Sequence, residues 1–151
     1  MQQFCYTLED LLPHRPPMIL IDSIESIDLG NKTMVSKVTI KEKWSMSVTA
    51  IEFMAQTAAA LAGYADKING VKDARPGFLL GTRKMTLNLD KFEVGKDYYT
   101  TATNVFGDEV AGSFDCSIRD AKGNVVASAI LNAYRPQNME EFKMQLEKGQ
   151  L

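Results

Sequence analysis

The sequence contains few of the residues that bind metals or cross-link chains. Its 151 residues include one histidine, two cysteines and one tryptophan. Cys5 and Cys116 are too few for a disulfide framework, so we expect reduced thiols. A single histidine and two distant cysteines form no metal-ligand cluster. We therefore expect neither a metal nor a cofactor.

The sequence also lacks a strong positive charge and a long apolar run. The net charge of −2 argues against nucleic acid as the main ligand, because phosphate binding requires a basic surface. No window approaches the ~20 apolar residues of a membrane span, and the N-terminus has no signal-peptide pattern. With 45% hydrophobic residues, the chain is expected to form a single cytoplasmic domain over residues 1–151.

Apolar periodicity predicts strands on both sides of one long helical segment. A short helix over 7–12 ends at Pro13, and strands over 18–27 and 33–40 form a hairpin around Gly30 and Asn31. The later elements are predicted as strands over 78–90, 96–106, 109–120 and 125–136, followed by a polar helix over 139–148.

The long helix is predicted over residues 47–70 and ends at Asn69 and Gly70. No helix separates the later strands, so we expect them to form an antiparallel meander. The helix is rich in small residues, which suits a helix that a curved sheet wraps closely. The predicted architecture is therefore α+β, in the arrangement called the hot-dog fold. The small residues are Ala50, Ala55, Ala58, Ala59, Ala60, Ala62, Gly63 and Ala65.

Five short motifs carry a resemblance to known proteins. LPHRPPMILID (12–22) and IEFMAQ (51–56) resemble the hot-dog β-hydroxyacyl-(acyl-carrier-protein) dehydratases of fatty-acid synthesis. RPGFLLGTRK (75–84), GSFDCSI (112–118) and ILNAYRP (130–136) are similar to the dehydratase-related proteins of aryl-polyene clusters. The resemblance implies an acyl-carrier-protein substrate and a homodimer or heterodimer with acyl tunnels between its subunits.

In these dehydratases a carboxyl group near the start of the long helix acts as the catalytic acid. It maps onto Glu52, and Gln56 lies one turn later, where its amide would orient Glu52 or bind substrate. Amides at the helix start would hold the thioester carbonyl. The spacing also allows a structural alternative, a capping box with Thr49 as N-cap and Glu52 reaching back to its amide.

The same dehydratases take their catalytic base from a histidine loop just before the helix. Residues 40–52, IKEKWSMSVTAIE, contain no histidine, so His14 is the one imidazole available. The resemblance places it near Glu52 of the same or the partner subunit. As a base it would lie roughly 4–8 Å from Glu52. The alternative is that His14 hydrogen-bonds the backbone of a proline-rich turn.

Three further residues are candidates for substrate contacts. Arg83 shares a predicted strand face with apolar residues, so it needs a partner such as Glu52 or an acidic carrier protein; otherwise its side chain extends to water. Trp44 and Met46 would line an acyl pocket or pack in the core.

Three functions are consistent with this pattern. The first is a 3-hydroxyacyl-(acyl-carrier-protein) dehydratase of fatty-acid or polyene synthesis, with Glu52 and His14 as catalytic residues. The second is a catalytically weak, acyl-binding partner subunit of a hot-dog dehydratase heterodimer, which the missing histidine loop favours. The third is an acyl thioesterase, which uses the same fold and a carboxylate near the helix start.

Overall fold

A six-stranded antiparallel sheet packs around one long helix in the computed structural model, which describes residues 5–72, 75–108 and 110–149. This confirms the α+β hot-dog architecture. The elements in chain order are α1 (Leu8–Leu11), β1 (Ser23–Asp28), β2 (Thr33–Thr39), α2 (Ala50–Ile68), β3 (Phe78–Leu87), β4 (Asp97–Gly107), β5 (Ala111–Asp120), β6 (Val125–Tyr134) and α3 (Met139–Glu147).

The strand order is β1-β2-β4-β5-β6-β3, so the predicted meander of the last four strands is wrong in one respect. Strands β4, β5 and β6 are successive neighbours, but β3 pairs with β6 and forms an edge of the sheet. The chain between β3 and β4 runs from the edge of the sheet to its middle. Phe92 anchors this connection, because its side chain is buried in the core and its N–H donates to the Ser45 carbonyl at 2.8 Å. Strand β4 then pairs with β2.

Two predicted boundaries also differ from the structure. Strand β1 begins at Ser23, later than the predicted residue 18, because the backbone before it is bound by a side chain of α2. Residues 47–49, predicted as the first turn of the long helix, form a separate 3-10 turn (Ser47–Thr49). A second 3-10 turn covers Glu42–Trp44.

The core lies between α2 and the inner face of the sheet. Phe53 and Met54 of α2 are fully buried, with Met34 of β2 and Ile118 of β5. Helix α1 packs against α2 at Gly63, where an added Cβ would lie 2.1 Å from the Leu11 carbonyl oxygen. This close approach requires a glycine and fixes the N-terminal segment on the helix.

Both cysteines are free thiols, and Cys116 is buried in β5. Burial raises the pKa of the Cys116 thiol to about 12. Within the described ranges, no helix is long and apolar enough to cross a membrane. The same ranges contain no group of three or more His, Cys, Asp or Glu side chains arranged to hold a metal ion.

Candidate functional site

A cavity of about 320 Å³ lies between α2 and the ends of strands β3 to β6. His14 and Glu52 are among the titratable side chains of its lining. The α2 wall is made of small residues, and the opposite wall includes both apolar side chains and two arginines. The α2 residues are Ala55, Ala58, Ala59 and Ala62, and the opposite wall includes Phe78, Leu79, Phe114, Leu131, Arg75 and Arg135.

The structure brings His14 and Glu52 together in one chain. The Nε2 atom of His14 lies 3.8 Å from Oε1 of Glu52, just below the predicted range. Their side chains are 32% and 38% exposed, so solvent or a substrate can reach both. The predicted proximity is therefore present, although 3.8 Å is too long for a hydrogen bond.

The capping alternative for Glu52 is wrong. Thr49 has helical dihedrals (φ −63°, ψ −16°) as the last residue of the preceding 3-10 turn, and its side chain makes no capping hydrogen bond. The Thr49 N–H donates to the Met46 carbonyl, and the Ala50 N–H donates to carbonyls of the turn, so neither amide is free for a thioester carbonyl. Glu52 Oε1 instead accepts a hydrogen bond from the Gln56 amide at 2.9 Å.

Gln56 links the N-terminal elbow to Glu52. Its side chain is fully buried, and its Oε1 accepts from the Leu20 N–H at 2.8 Å. Its Nε2 donates to the Met18 carbonyl at 2.7 Å and to Glu52. Because both N–H groups and the carbonyl of this amide are engaged, the geometry fits orientation of Glu52 better than direct substrate binding.

The turn that carries His14 is held by Arg15. The Arg15 guanidinium donates to the carbonyls of Glu9, Leu12 and His14, at 3.2, 3.0 and 2.7 Å. Sequence reasoning missed this role, although the arginine stands within the LPHR motif.

The second ring nitrogen of His14 has a distinctive environment. Nδ1 is buried and has no hydrogen-bond partner among the described residues. A buried N–H without an acceptor is costly, so this site favours the tautomer with the proton on Nε2, facing Glu52.

Arg83, Trp44 and Met46 do not line this cavity. Arg83 is exposed on β3, and a bulge between Arg83 and Thr86 interrupts the alternation on which its predicted face depended. Among the described residues Arg83 makes no ion pair with Glu52, which lies beside His14 instead. Trp44 packs partly buried against the core, and Met46 is 63% exposed.

An ion-pair cluster that sequence reasoning missed lies on the same cavity. Arg135 donates to both carboxylate oxygens of Asp66, at 2.8 and 2.9 Å. Arg75 also donates to both, at 3.2 and 3.4 Å. Each arginine stands beside a proline in a motif quoted above, RPGFL or AYRP, and this is the one sequence signal that marks them.

Asp108 lies on the cavity wall as well, at the turn between β4 and β5. Its carboxylate accepts hydrogen bonds from the backbone N–H groups of Val110 and Ala111 at 2.8 and 3.0 Å. The hydrogen bond from Ala111, followed by that from Val110, lowers the pKa of Asp108. Its Oδ1 atom therefore stabilises the turn.

A sheet wrapped around a helix whose first turn carries a carboxylate beside a histidine defines a dehydratase-like hot-dog protein. The family model of ApeP-like proteins, described as ApeP dehydratase, matches residues 6–144, so the chain belongs to this family. No curated protein sequence matches the chain.

Several solved structures share the fold of this chain. The dehydratase heterocomplex ApeI:P from Xenorhabdus doucetiae is similar, with 26% identity and a TM-score of 0.80 over 91% of this chain and 95% of that chain. The PaaI protein of E. coli shares the fold at 15% identity and a TM-score of 0.56, over 77% and 80% of the two chains. A hypothetical thioesterase from Streptococcus pneumoniae shares it at 11% identity and a TM-score of 0.58, over 76% and 84%.

Proposed function

We propose that the chain is one subunit of a hot-dog pair that dehydrates a 3-hydroxyacyl thioester carried on an acyl carrier protein. The observation that carries this proposal is the 3.8 Å approach of His14 to Glu52 on a cavity lined by alanines. Dehydration needs a base for the C2 proton and an acid for the C3 hydroxyl, and these are the two titratable groups that meet here. Membership in the ApeP-like dehydratase family supports the same reaction.

Two proton routes fit a syn elimination at this pair. In the first, His14 removes the C2 proton, and a protonated Glu52 gives its proton to the hydroxyl as the C2–C3 double bond forms and water leaves. In the second, the Glu52 carboxylate removes the C2 proton and returns it to the departing hydroxyl, while the Nε2–H of His14 hydrogen-bonds the reacting group. The buried Nδ1 without a partner supports the second route, because a histidine base would need a proton on that nitrogen.

An exposed apolar edge supports the partner subunit. Strand β3 is the last strand of the described sheet, and its first three residues, Phe78, Leu79 and Leu80, are 38%, 43% and 67% exposed. An unpaired edge with large apolar side chains favours association with another protein. The similar ApeI:P structure is a heterocomplex. We therefore infer that a second hot-dog subunit covers this edge and supports catalysis.

The dehydratase proposal is tested with the purified chain, alone and mixed with an intact hot-dog dehydratase subunit. A 3-hydroxyacyl-carrier-protein is supplied, and products are separated by mass spectrometry. We expect the enoyl thioester, with Glu52→Gln reducing its rate about a hundredfold or more. The matched control is Glu25→Gln, a surface carboxylate that pairs with Lys37 and should keep full activity. Free acid as the product would identify a thioesterase, and wild-type rates in Glu52→Gln would refute the assignment.

The proton route is tested by two substitutions at His14. His14→Gln keeps an N–H donor but cannot act as a base, whereas His14→Ala removes both functions. The second route predicts that His14→Gln retains much more activity than His14→Ala. Equal losses of about a hundredfold in both variants would instead establish His14 as the base.

A different outcome would make the chain a non-catalytic partner. In that case turnover would require the added subunit, and Glu52→Gln would not change the rate.

A further inference from the structure

The cluster of Asp66, Arg75 and Arg135 has an unusual charge balance for a structural ion pair. Two guanidinium groups share one carboxylate, whose side chain is only 12% exposed. Both arginines are also largely buried, at 25% and 16% exposure. Among these three groups one positive charge remains uncompensated. Burial of an uncompensated charge is costly, which favours a role that a simple salt bridge would not need.

The two arginines retain hydrogen-bond donors after binding Asp66. Arg75 uses Nε and one Nη atom, and Arg135 uses one hydrogen on each Nη atom. A guanidinium carries five N–H donors in a planar fork, so each arginine has donors left over. Such forks match the paired oxygens of carboxylate and phosphate groups. The residual chemistry of this cluster is therefore that of an anion receptor.

Helix α2 connects the acid–base pair to the cluster, whose two arginines line the facing wall of the cavity. Glu52 and Asp66 are both on α2, 14 residues apart, which corresponds to about 21 Å along a helix. Between them the helix contributes Ala55, Ala59 and Ala62 to the lining, and none of these has a polar side chain. An extended ligand lying along α2 would therefore meet Glu52 at one end, the alanines in between, and the two arginines of the facing wall at its other end.

We propose that Arg75 and Arg135, held by Asp66, form an anion subsite that binds a phosphate or carboxylate group of an elongated ligand. The chemistry fits two sources, the phosphodiester of a carrier-protein arm and a carboxylate on an acyl chain. The placement of the ligand's other end at Glu52 rests on the proposed function. Anion binding by the arginines does not depend on it.

Calorimetric binding at low ionic strength tests the subsite without requiring turnover. One probe pair is 4′-phosphopantetheine and pantetheine, and the other is decanoate and decanol, so that each pair differs by the anionic group. We expect the anionic member of at least one pair to bind about tenfold tighter, and the pair that shows this preference identifies the source. The preference should weaken as salt is added. Equal binding of both members in both pairs would overturn the proposal.

Three variants distinguish the subsite from a structural ion pair. Arg75→Gln should remove most of the preference, and Arg119→Gln, which deletes the same charge from an exposed side chain of β5, should not. Asp66→Asn keeps the shape of the side chain and raises the residual charge of the cluster, so anion binding should become tighter. A structural ion pair would show only lower stability in Asp66→Asn, without tighter binding.

Folding of each variant is checked by circular dichroism before titration, and Arg75→Lys serves where Arg75→Gln does not fold. Lysine keeps the charge but loses the planar fork, so it should retain only part of the preference. A preference that survives unchanged in Arg75→Lys and Arg75→Gln would refute the subsite. The two proposals can fail separately. A chain that prefers the anionic probe but shows no dehydration would keep the subsite and lose the proposed function. A chain that dehydrates its substrate but shows no preference for the anionic probe would keep the proposed function and lose the subsite.

Discussion

Replacement of Gln56 by leucine should destabilise the whole domain, because one buried amide connects α2 to the N-terminal elbow. The substitution removes hydrogen bonds to the Leu20 N–H, the Met18 carbonyl and Glu52. Leu20 is 6% exposed, so its N–H would lose its partner where water has little access. A buried donor left unsatisfied costs about 1–3 kcal/mol, and the Met18 carbonyl adds less because that residue is half exposed. We expect a total loss of about 2–4 kcal/mol.

Urea unfolding, followed by circular dichroism, measures this loss as a lower midpoint at an unchanged slope. The matched control is Gln137→Leu, the same substitution at an exposed position, which should change stability by less than about 0.5 kcal/mol. The substitution also removes the hydrogen bond from Gln56 to the Glu52 carboxylate, so the dehydration rate should fall even under conditions in which the variant is still folded. A loss below about 1 kcal/mol for Gln56→Leu would show that these three hydrogen bonds do not hold the elbow.

Two other regions give independent predictions for stability. Gly63→Ala should lower the free energy of unfolding in urea by about 1–3 kcal/mol despite the higher helix propensity of alanine, because the new Cβ meets the Leu11 carbonyl. The control is Gly81→Ala, whose new Cβ meets no neighbouring atom within 4 Å. Equal urea midpoints for the two variants would contradict the packing argument. Hydrogen bonds from Asn124, with a further one from Lys122, lower the pKa of Asp120 from its ordinary value of 3.8. The ionised carboxylate therefore stabilises the fold above pH 3.8, and this stabilisation is lost as the pH falls through the lowered pKa. Asp120→Ala should therefore lower the urea midpoint at pH about 6, and this difference should shrink as the pH is lowered below 3.8. A difference that stays constant with pH would rule out this carboxylate as the cause.

Local patterns predicted most of the fold. The composition of α2 and the Asn69-Gly70 stop gave a helix close to the observed Ala50–Ile68, and alternation gave the hairpin β5–β6. Pattern alone could not place β3 beside β6, because that pairing joins segments far apart in the chain. The start of β1 was also missed, since a buried glutamine rather than a strand binds the preceding backbone.

The candidate site likewise contains residues that local motifs predicted and residues that they missed. The motifs that contain His14 and Glu52 predicted that these residues would be neighbours, and the structure confirms the contact. Arg75 and Arg135 are separated by 60 positions in the sequence and approach each other because Phe78 of β3 pairs with Tyr134 of β6. No local pattern carries that information. Arg83, by contrast, was misplaced because a bulge in β3 changes the side on which its side chain lies.

The alanine wall of α2 makes the depth of the cavity adjustable by single substitutions. Ala55, Ala59 and Ala62 follow one another at intervals of about 4.5–6 Å along the helix. A valine or leucine at one of these positions would place a barrier at a chosen distance from Glu52, while the sheet and the acid–base pair keep their places. The side chains at these three positions would therefore set the length of the molecule that the cavity can hold.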